Sequence, residues 1–321
     1  MNLDLLLSNL SNPAFLFFIL GIIAVKLKSD LEIPPNSSKF ISLYLLFSIG
    51  FKGGQELSHE SFSIEIAWSM LFGIGLSLFI PLYTFFILKK RFNIYDAGAI
   101  AAAYGSVSAV TFVTAVTYLE MQKLQLHGHM VAIMALMESP AIIAGLMLMS
   151  VFNKEDKQIV KPLSVLKHSL TNGSVLLILG SLVIGFLANA KQAEGIKPFT
   201  NDIFKGFLAI FLLDMGIVSG RKLSSFTQNG WFPVLFAIVI PFINGCVVAA
   251  LSVYVTEDVA NRFVFAVLAA SASYIAVPAA MKIAVPKANP GLFLPMALAI
   301  TFPFNITLGM PLYLSIVNYW H

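Results

Sequence analysis

The sequence predicts an all-α membrane protein of ten transmembrane helices in two inverted five-helix repeats, with a broken helix in each repeat and core and gate domains. Three observations predict it: an apolar composition, ten apolar runs close to bilayer length, and two halves that match each other. Hydrophobic residues make up 58% and charged residues 11% of the 321-residue chain, against about 25% charged in soluble domains. A bilayer helix uses about 20 residues, so ten spans with their connections consume the chain and leave no separate soluble domain. The net charge of +4 is spread over short connections, which argues against a nucleic-acid partner. Cys246 is the only cysteine, so neither a disulfide framework nor a cysteine zinc site is available.

Apolar runs bounded by charges or Pro/Gly clusters lie near 13–27, 39–56, 65–88, 94–118, 128–152, 172–190, 199–220, 230–254, 259–285 and 291–317. The first follows a segment, MNLDLLLSNLSN, that lacks the basic region of a secretory signal, and reads as a retained helix. Lys39 opens the second run, and Lys89, Lys90 and Arg91 close the third. The fourth carries AYGSVSAVTF at 103–112 and the fifth carries Glu138. After the charged stretch 153–168 come the sixth run and the seventh, which ends at Arg221 and Lys222. The eighth holds Cys246, and the ninth and tenth repeat the small-residue and proline patterns of the fourth and fifth. Fourteen of the 20 Lys and Arg fall in connections on one side. The positive-inside rule then puts both termini outside and the 153–168 connection in the cytoplasm. The expected organisation is a first repeat over 1–152, a cytoplasmic linker over 153–168 and a second repeat over 169–321. The core domain is expected from both repeats, around 94–152 and 259–317.

The halves align with offsets of about 163 to 166. GFKGGQELS at 50–58 matches GIVSGRKLS at 216–224, so that Gly50, Gly54, Leu57 and Ser58 recur as Gly216, Gly220, Leu223 and Ser224. GSVSAVTF at 105–112 matches ASASYIAV at 270–277, which repeats Ser106 and Ser108 as Ser271 and Ser273. MALMESPAII at 134–143 matches MALAITFPFNI at 296–306, pairing Glu138 with Thr301 and Pro140 with Pro303. Five spans per half is an odd number, so the second copy enters the membrane from the opposite side. Inverted repeats of this kind recur in secondary transporters, whose site lies at the midplane where one helix of each repeat is interrupted.

The segments 103–112 and 270–278 fit those interruptions. Gly105 is expected to let the backbone leave helical angles, and Pro278 to remove a donor and free an upstream carbonyl. Each restarted helix presents unpaired N–H groups and roughly half a positive charge, so two facing ends suit one monoanion without Arg or Lys. Ser106, Ser108, Thr111, Ser271 and Ser273 add hydroxyl donors, with Ala109 and Tyr274 beside them. Half-helix carbonyls, hydroxyls and a carboxylate suit Na⁺. Small and hydroxyl residues also serve plain helix packing, but their recurrence at the matched position favours a site.

Glu138 lies well inside the fifth run, where a carboxylate costs about 2.5–3.5 kcal/mol and needs an interior partner. It is read as a Na⁺ ligand or proton acceptor, with Ser106, Ser108, Thr301, Asn305 and Thr307 as candidates to complete a cation shell. Asp214 stands between a pathway residue and an interior cap. Lys52 is read as snorkelling to the surface, and His127 and His129 as solvated loop residues. Walker A, His-Glu-x-x-His and Gly-x-Ser-x-Gly patterns are absent from the sequence, so nothing points to ATP-driven pumping or hydrolysis.

The segments AAYGSVSAVTFVTAVTYLE, IMALMESPAIIAG and GLFLPMALAITFPFNITLGMPLY together resemble the SbtA family of sodium-dependent bicarbonate transporters of cyanobacteria, over essentially the whole chain. The resemblance implies uptake of bicarbonate across the plasma membrane by symport with Na⁺, feeding a CO₂-concentrating mechanism. It also implies core and gate domains, a homotrimer, and a PII-like regulator, SbtB, docking on the cytoplasmic face. Carried onto this chain, the bicarbonate site falls at Gly105, Ser106, Ser108, Ser271 and Ser273, with Na⁺ around the same break and Glu138. The link FNKEDKQIVKPLSVLKHSL is shorter than the family's usual connection between halves. A Na⁺/H⁺ antiporter or an organic-anion symporter of similar architecture is the alternative reading, and an enzyme is not expected.

Overall fold

Where no water reaches, every backbone polar group must be satisfied within its own segment, so long apolar runs fold as helices. A computed structural model describes residues 13–61, 63–152, 173–226 and 230–320; the 153–168 connection lies outside the described residues. Helices α1 (Pro13–Lys26), α2 (Pro35–His59) and α3 (Ile64–Leu88) are followed by α4 (Ile94–Gly105), α5 (Ala109–Met121) and α6 (His129–Phe152). The second half contains α7 (Gly173–Leu187), α8 (Ala190–Lys197), α9 (Phe204–Phe226), α10 (Trp231–Leu251), α11 (Val259–Ala270) and α12 (Ala276–Ala284). The last helix, α13 (Pro290–Tyr319), winds through π turns at Met296–Thr301 and Asn305–Gly309.

The sequence predicts ten spans; among the described residues six helices are long and apolar enough to cross a membrane, and three apolar ones are shorter. The difference has local causes. α2 is 25 residues long but mixes Asn, Ser, Lys, Gly, Gln and Glu into its apolar sequence. The ninth run divides into α11 and α12, of 12 and 9 residues.

Packing sorts the helices. α1 lies against α9, and α2 against α7, while α3 packs on α4 and α6, and α10 on α11. Glycine lets these pairs close: a Cβ on Gly216 would stand 2.1 Å from the Phe18 carbonyl oxygen, and one on Gly54 2.1 Å from that of Leu182. Small residues at such crossings let helix backbones touch. The α4–α5 span is 83% buried and α6 72%, against 39% for α3 and 44% for the α10 span, so the interrupted helix lies at the centre.

The two central half-helices are cut alike. Asn93 caps α4 by accepting from the Asp96 N–H at 2.9 Å, and Asp258 caps α11 by accepting from the Asn261 N–H at 2.7 Å. Just past α4, Ser106 has φ/ψ of −82°/170°, and just past α11, Ser271 has −82°/168°.

Candidate functional site

The interruption begins at Gly105, the last residue of α4, where an added Cβ would meet the Pro81 ring at 2.1 Å. Gly105 therefore admits α3 rather than freeing the backbone, since Gly230 alone among the described glycines has positive φ. Pro278 also differs from expectation. It is the third residue of α12, where its missing N–H would have had no helical partner anyway, so the break at 271–275 is made before the proline.

Beyond the breaks, hydroxyls cap the new helices. Ser108 Oγ accepts from the Thr111 N–H at 3.1 Å, and Ser273 Oγ accepts from the Val277 N–H at 3.3 Å. The two breaks also bond to each other: the Ser273 N–H donates to the Ala103 carbonyl at 2.8 Å, and the Ser108 N–H donates to Ser271 Oγ at 3.1 Å. Each interruption thus satisfies backbone groups that the other has freed.

Where they meet is a hollow of about 20 Å³ lined by Leu46, Val107, Ser108, Ala109, Glu138, Ser273, Tyr274, Ile275 and Ala276. A volume of about 10–15 Å³ admits one water, so the hollow is ion-sized at most. Ala109 and Ala276 are the first residues of α5 and α12, so both helix N-termini reach its wall. Among the described residues, Glu138 Oε1 is buried without a hydrogen-bond partner. An unmet buried group costs about 1–3 kcal/mol, and a bound ion or water would answer it.

The structure thus brings Ser108, Ala109, Ser273, Tyr274 and Glu138 to one wall. It does not bring Gly105, Ser106, Thr111, Ser271, Thr301 or Asn305 there. Ser106 Oγ donates to the Glu138 carbonyl at 3.3 Å and Ser271 Oγ to the Leu268 carbonyl at 2.8 Å. Thr301 donates to the Ala237 carbonyl at 2.7 Å and pairs with the Tyr104 hydroxyl at 2.8 Å, and Thr307 bonds back to the Pro303 carbonyl at 2.7 Å. Asn305 Nδ2 donates to the Ala270 carbonyl at 2.7 Å, while its Oδ1 accepts from Tyr313 at 3.2 Å.

Asn244 escaped sequence reasoning. Its Nδ2 donates to the Ala269 carbonyl at 3.1 Å, so two asparagines hold the cut end of α11. Its only sequence signal is a polar residue inside the apolar PFINGC. Asn305→Ala removes one of these donors from a buried carbonyl and is expected to cost about 1–3 kcal/mol, read as a lowered unfolding temperature in detergent. An unchanged temperature would mean that the carbonyl finds another donor. Leu46, a wall residue from α2, and the buried Arg262, whose Nη2 lies 3.3 Å from the Ala249 carbonyl, also went unread.

A second hollow of about 480 Å³ shares Tyr274 and Ile275 with the first and is also lined by Ser38, Lys39, Asp214 and Arg221. Asp214 lines this second hollow rather than the ion-sized one, and its carboxylate accepts from the Ser38 hydroxyl. Lys52 reaches the surface and pairs with Glu120 at 3.0 Å. The solvated reading of the histidines needs correction: His129 is only 3% exposed, with Nδ1 2.7 Å from Glu60. The Glu60 carboxylate, distant in sequence, draws it in.

Many membrane transport proteins are built around two interrupted helices, and this apolar chain shares that arrangement. It belongs to the Na⁺-dependent bicarbonate transporter superfamily, whose family model matches residues 13–318. This is a family of transporters, not of enzymes. No curated protein matches the chain.

Proposed function

We propose that the protein imports bicarbonate together with Na⁺ by alternating access, through ten spans in two inverted five-helix repeats set in the plasma membrane with both termini outside. The observation that carries this reading is the hydrogen-bonded meeting of the two breaks, with two helix N-termini and the Glu138 carboxylate at one hollow. Two N-termini present about one unit of positive charge together, enough for a monoanion. The hydroxyl oxygens of Ser108 and Ser273 already accept backbone N–H groups, and each hydroxyl has one O–H to donate to bicarbonate. Na⁺ binds beside Glu138 and offsets the anion, and by reciprocity each ion tightens the other by the same factor. More than one Na⁺ per bicarbonate makes uptake electrogenic, gaining about 2.3 kcal/mol per net charge per 100 mV.

Bicarbonate has four heavy atoms, so the hollow must widen to admit it. Leu46, on α2, lines that hollow together with Ser108 and Ser273; moving α1, α2, α7 and α9 as a gate against the remaining helices as a core opens the gap. The larger hollow leads to Lys39 and Arg221, on the side that the positive-inside rule puts in the cytoplasm. Lys52–Glu120 joins α2 to α5 at the other face. Both features support an inward-open state. Assembly as a homotrimer and inhibition by a PII-like SbtB protein complete the proposal on the strength of the resemblance.

Proteoliposomes given labelled inorganic carbon are expected to take it up with an inward Na⁺ gradient and not with an equal K⁺ gradient. Ser108→Ala and Ser273→Ala each remove a donor to a charged ligand, a loss of about 1.5–3 kcal/mol, and are expected to lower uptake at subsaturating bicarbonate about tenfold or more. Unchanged uptake by both folded variants would remove the anion from this hollow.

A further inference from the structure

We propose that Glu60, His127 and His129 form a binding site for a divalent transition cation, with Zn²⁺ the best match, where α2 ends and α6 begins. Glu60 immediately follows α2, His129 is the first residue of α6, and His127 precedes it by two. Each offers one ligand atom, and these atoms all lie within 4.8 Å of one another. Glu60 Oε2 is 2.7 Å from His129 Nδ1, and Glu60 Oε1 is 3.4 Å from His127 Nδ1. Zinc holds such nitrogens and oxygens at about 2.0–2.2 Å, so ligands on one tetrahedral ion stand about 3.3–3.6 Å apart. Side-chain rotation has to draw the widest-spaced pair in by up to about 1.4 Å.

Two imidazoles and one carboxylate are the donor set of an open zinc site, with the fourth position left to water. The surroundings support that chemistry. His127 Nε2 faces Asp258 Oδ2 at 3.7 Å, and a ligating histidine is oriented by a carboxylate on its other nitrogen. Glu60 is already held in place, its Oε1 accepting from the Gly128 N–H at 2.6 Å. A hollow of about 300 Å³ that reaches His127 and Gly128 gives an ion its approach. Bound there, the ion ties α2 to the start of α6, and through Asp258 to α11.

The test is calorimetric titration of the purified, tag-free protein in detergent with Zn²⁺. One Zn²⁺ per chain is expected for the wild type and for His59→Ala, an exposed histidine beside the cluster. Glu60→Gln and His127→Ala are each expected to weaken binding at least tenfold. The His127 side chain is about half exposed, so its removal leaves the packed interior alone, and unfolding temperatures confirm that both variants are folded. No stoichiometric binding by the wild type, or wild-type affinity in both variants, overturns the site. The titration reads metal binding without transport, so its outcome is separate from that of the bicarbonate reading.

Discussion

Glu138→Gln is expected to raise the Na⁺ concentration that half-saturates bicarbonate uptake by about 10- to 100-fold while the protein stays folded. Glu138 lies in α6, 6% exposed, in the wall of the hollow, and one of its oxygens has no partner among the described residues. An interaction with a charged group is worth about 1.5–3 kcal/mol, and each 1.4 kcal/mol is about tenfold in affinity. Glutamine keeps the shape and removes the charge, so packing around Met137 and Ala141 is undisturbed. A ligand that binds only the folded state raises its stability; Na⁺ is therefore expected to raise the unfolding temperature of the wild type and to leave that of the variant where it was. An unaltered Na⁺ titration of uptake would reassign the carboxylate to holding α6 in place.

Gly216→Ala is expected to destabilise the protein by about 1–3 kcal/mol or more, the usual cost of overpacking, and to lower the yield of folded protein. The new methyl carbon would stand 2.1 Å from the Phe18 carbonyl oxygen. That atom belongs to a helix backbone and cannot rotate aside, so α1 and α9 must separate along their whole contact. Gly75→Ala in α3 is the control. No atom lies within 4 Å of a Cβ there, and the better helix former is expected to be neutral or to add up to about 1 kcal/mol. Thermal unfolding in detergent separates the two; equal melting would mean that the α1–α9 contact is loose.

Much of the central architecture was legible because local physics writes it into short stretches. Small and hydroxyl residues inside an apolar run mark a break, and their recurrence in the second half marks its counterpart. Ser108 and Ser273 stand out this way and Glu138 as an acid inside an apolar run, and the structure places all three at one hollow. The reasons assigned to particular residues were less legible. Gly105 looked like a source of backbone freedom, yet what it accommodates is Pro81, on the preceding helix. Thr301 and Asn305 looked like cation ligands because they follow the pattern of Glu138. Their hydrogen bonds go instead to Ala237 and Ala270. A side chain's type shows what it can donate, but its neighbours decide where the donor goes.

The histidines show the same limit from the other direction. His127 and His129 read as an exposed turn because their partner, Glu60, is more than sixty residues away in sequence; only the approach of α2 to α6 brings them together. The sequence by itself determined that this chain is an apolar, helical membrane protein, that its centre is built from two interrupted helices, and which small residues and which acid stand there. Those features follow from desolvation of the backbone and the periodicity of apolar runs, which are local. Tertiary structure decided which hydroxyls line the hollow and which bond to carbonyls away from it, that Leu46 shares its wall, and that Asn244 and Asn305 hold the cut end of α11. These depend on contacts between helices distant in the chain, and a buried polar group is placed by the nearest partner able to satisfy it.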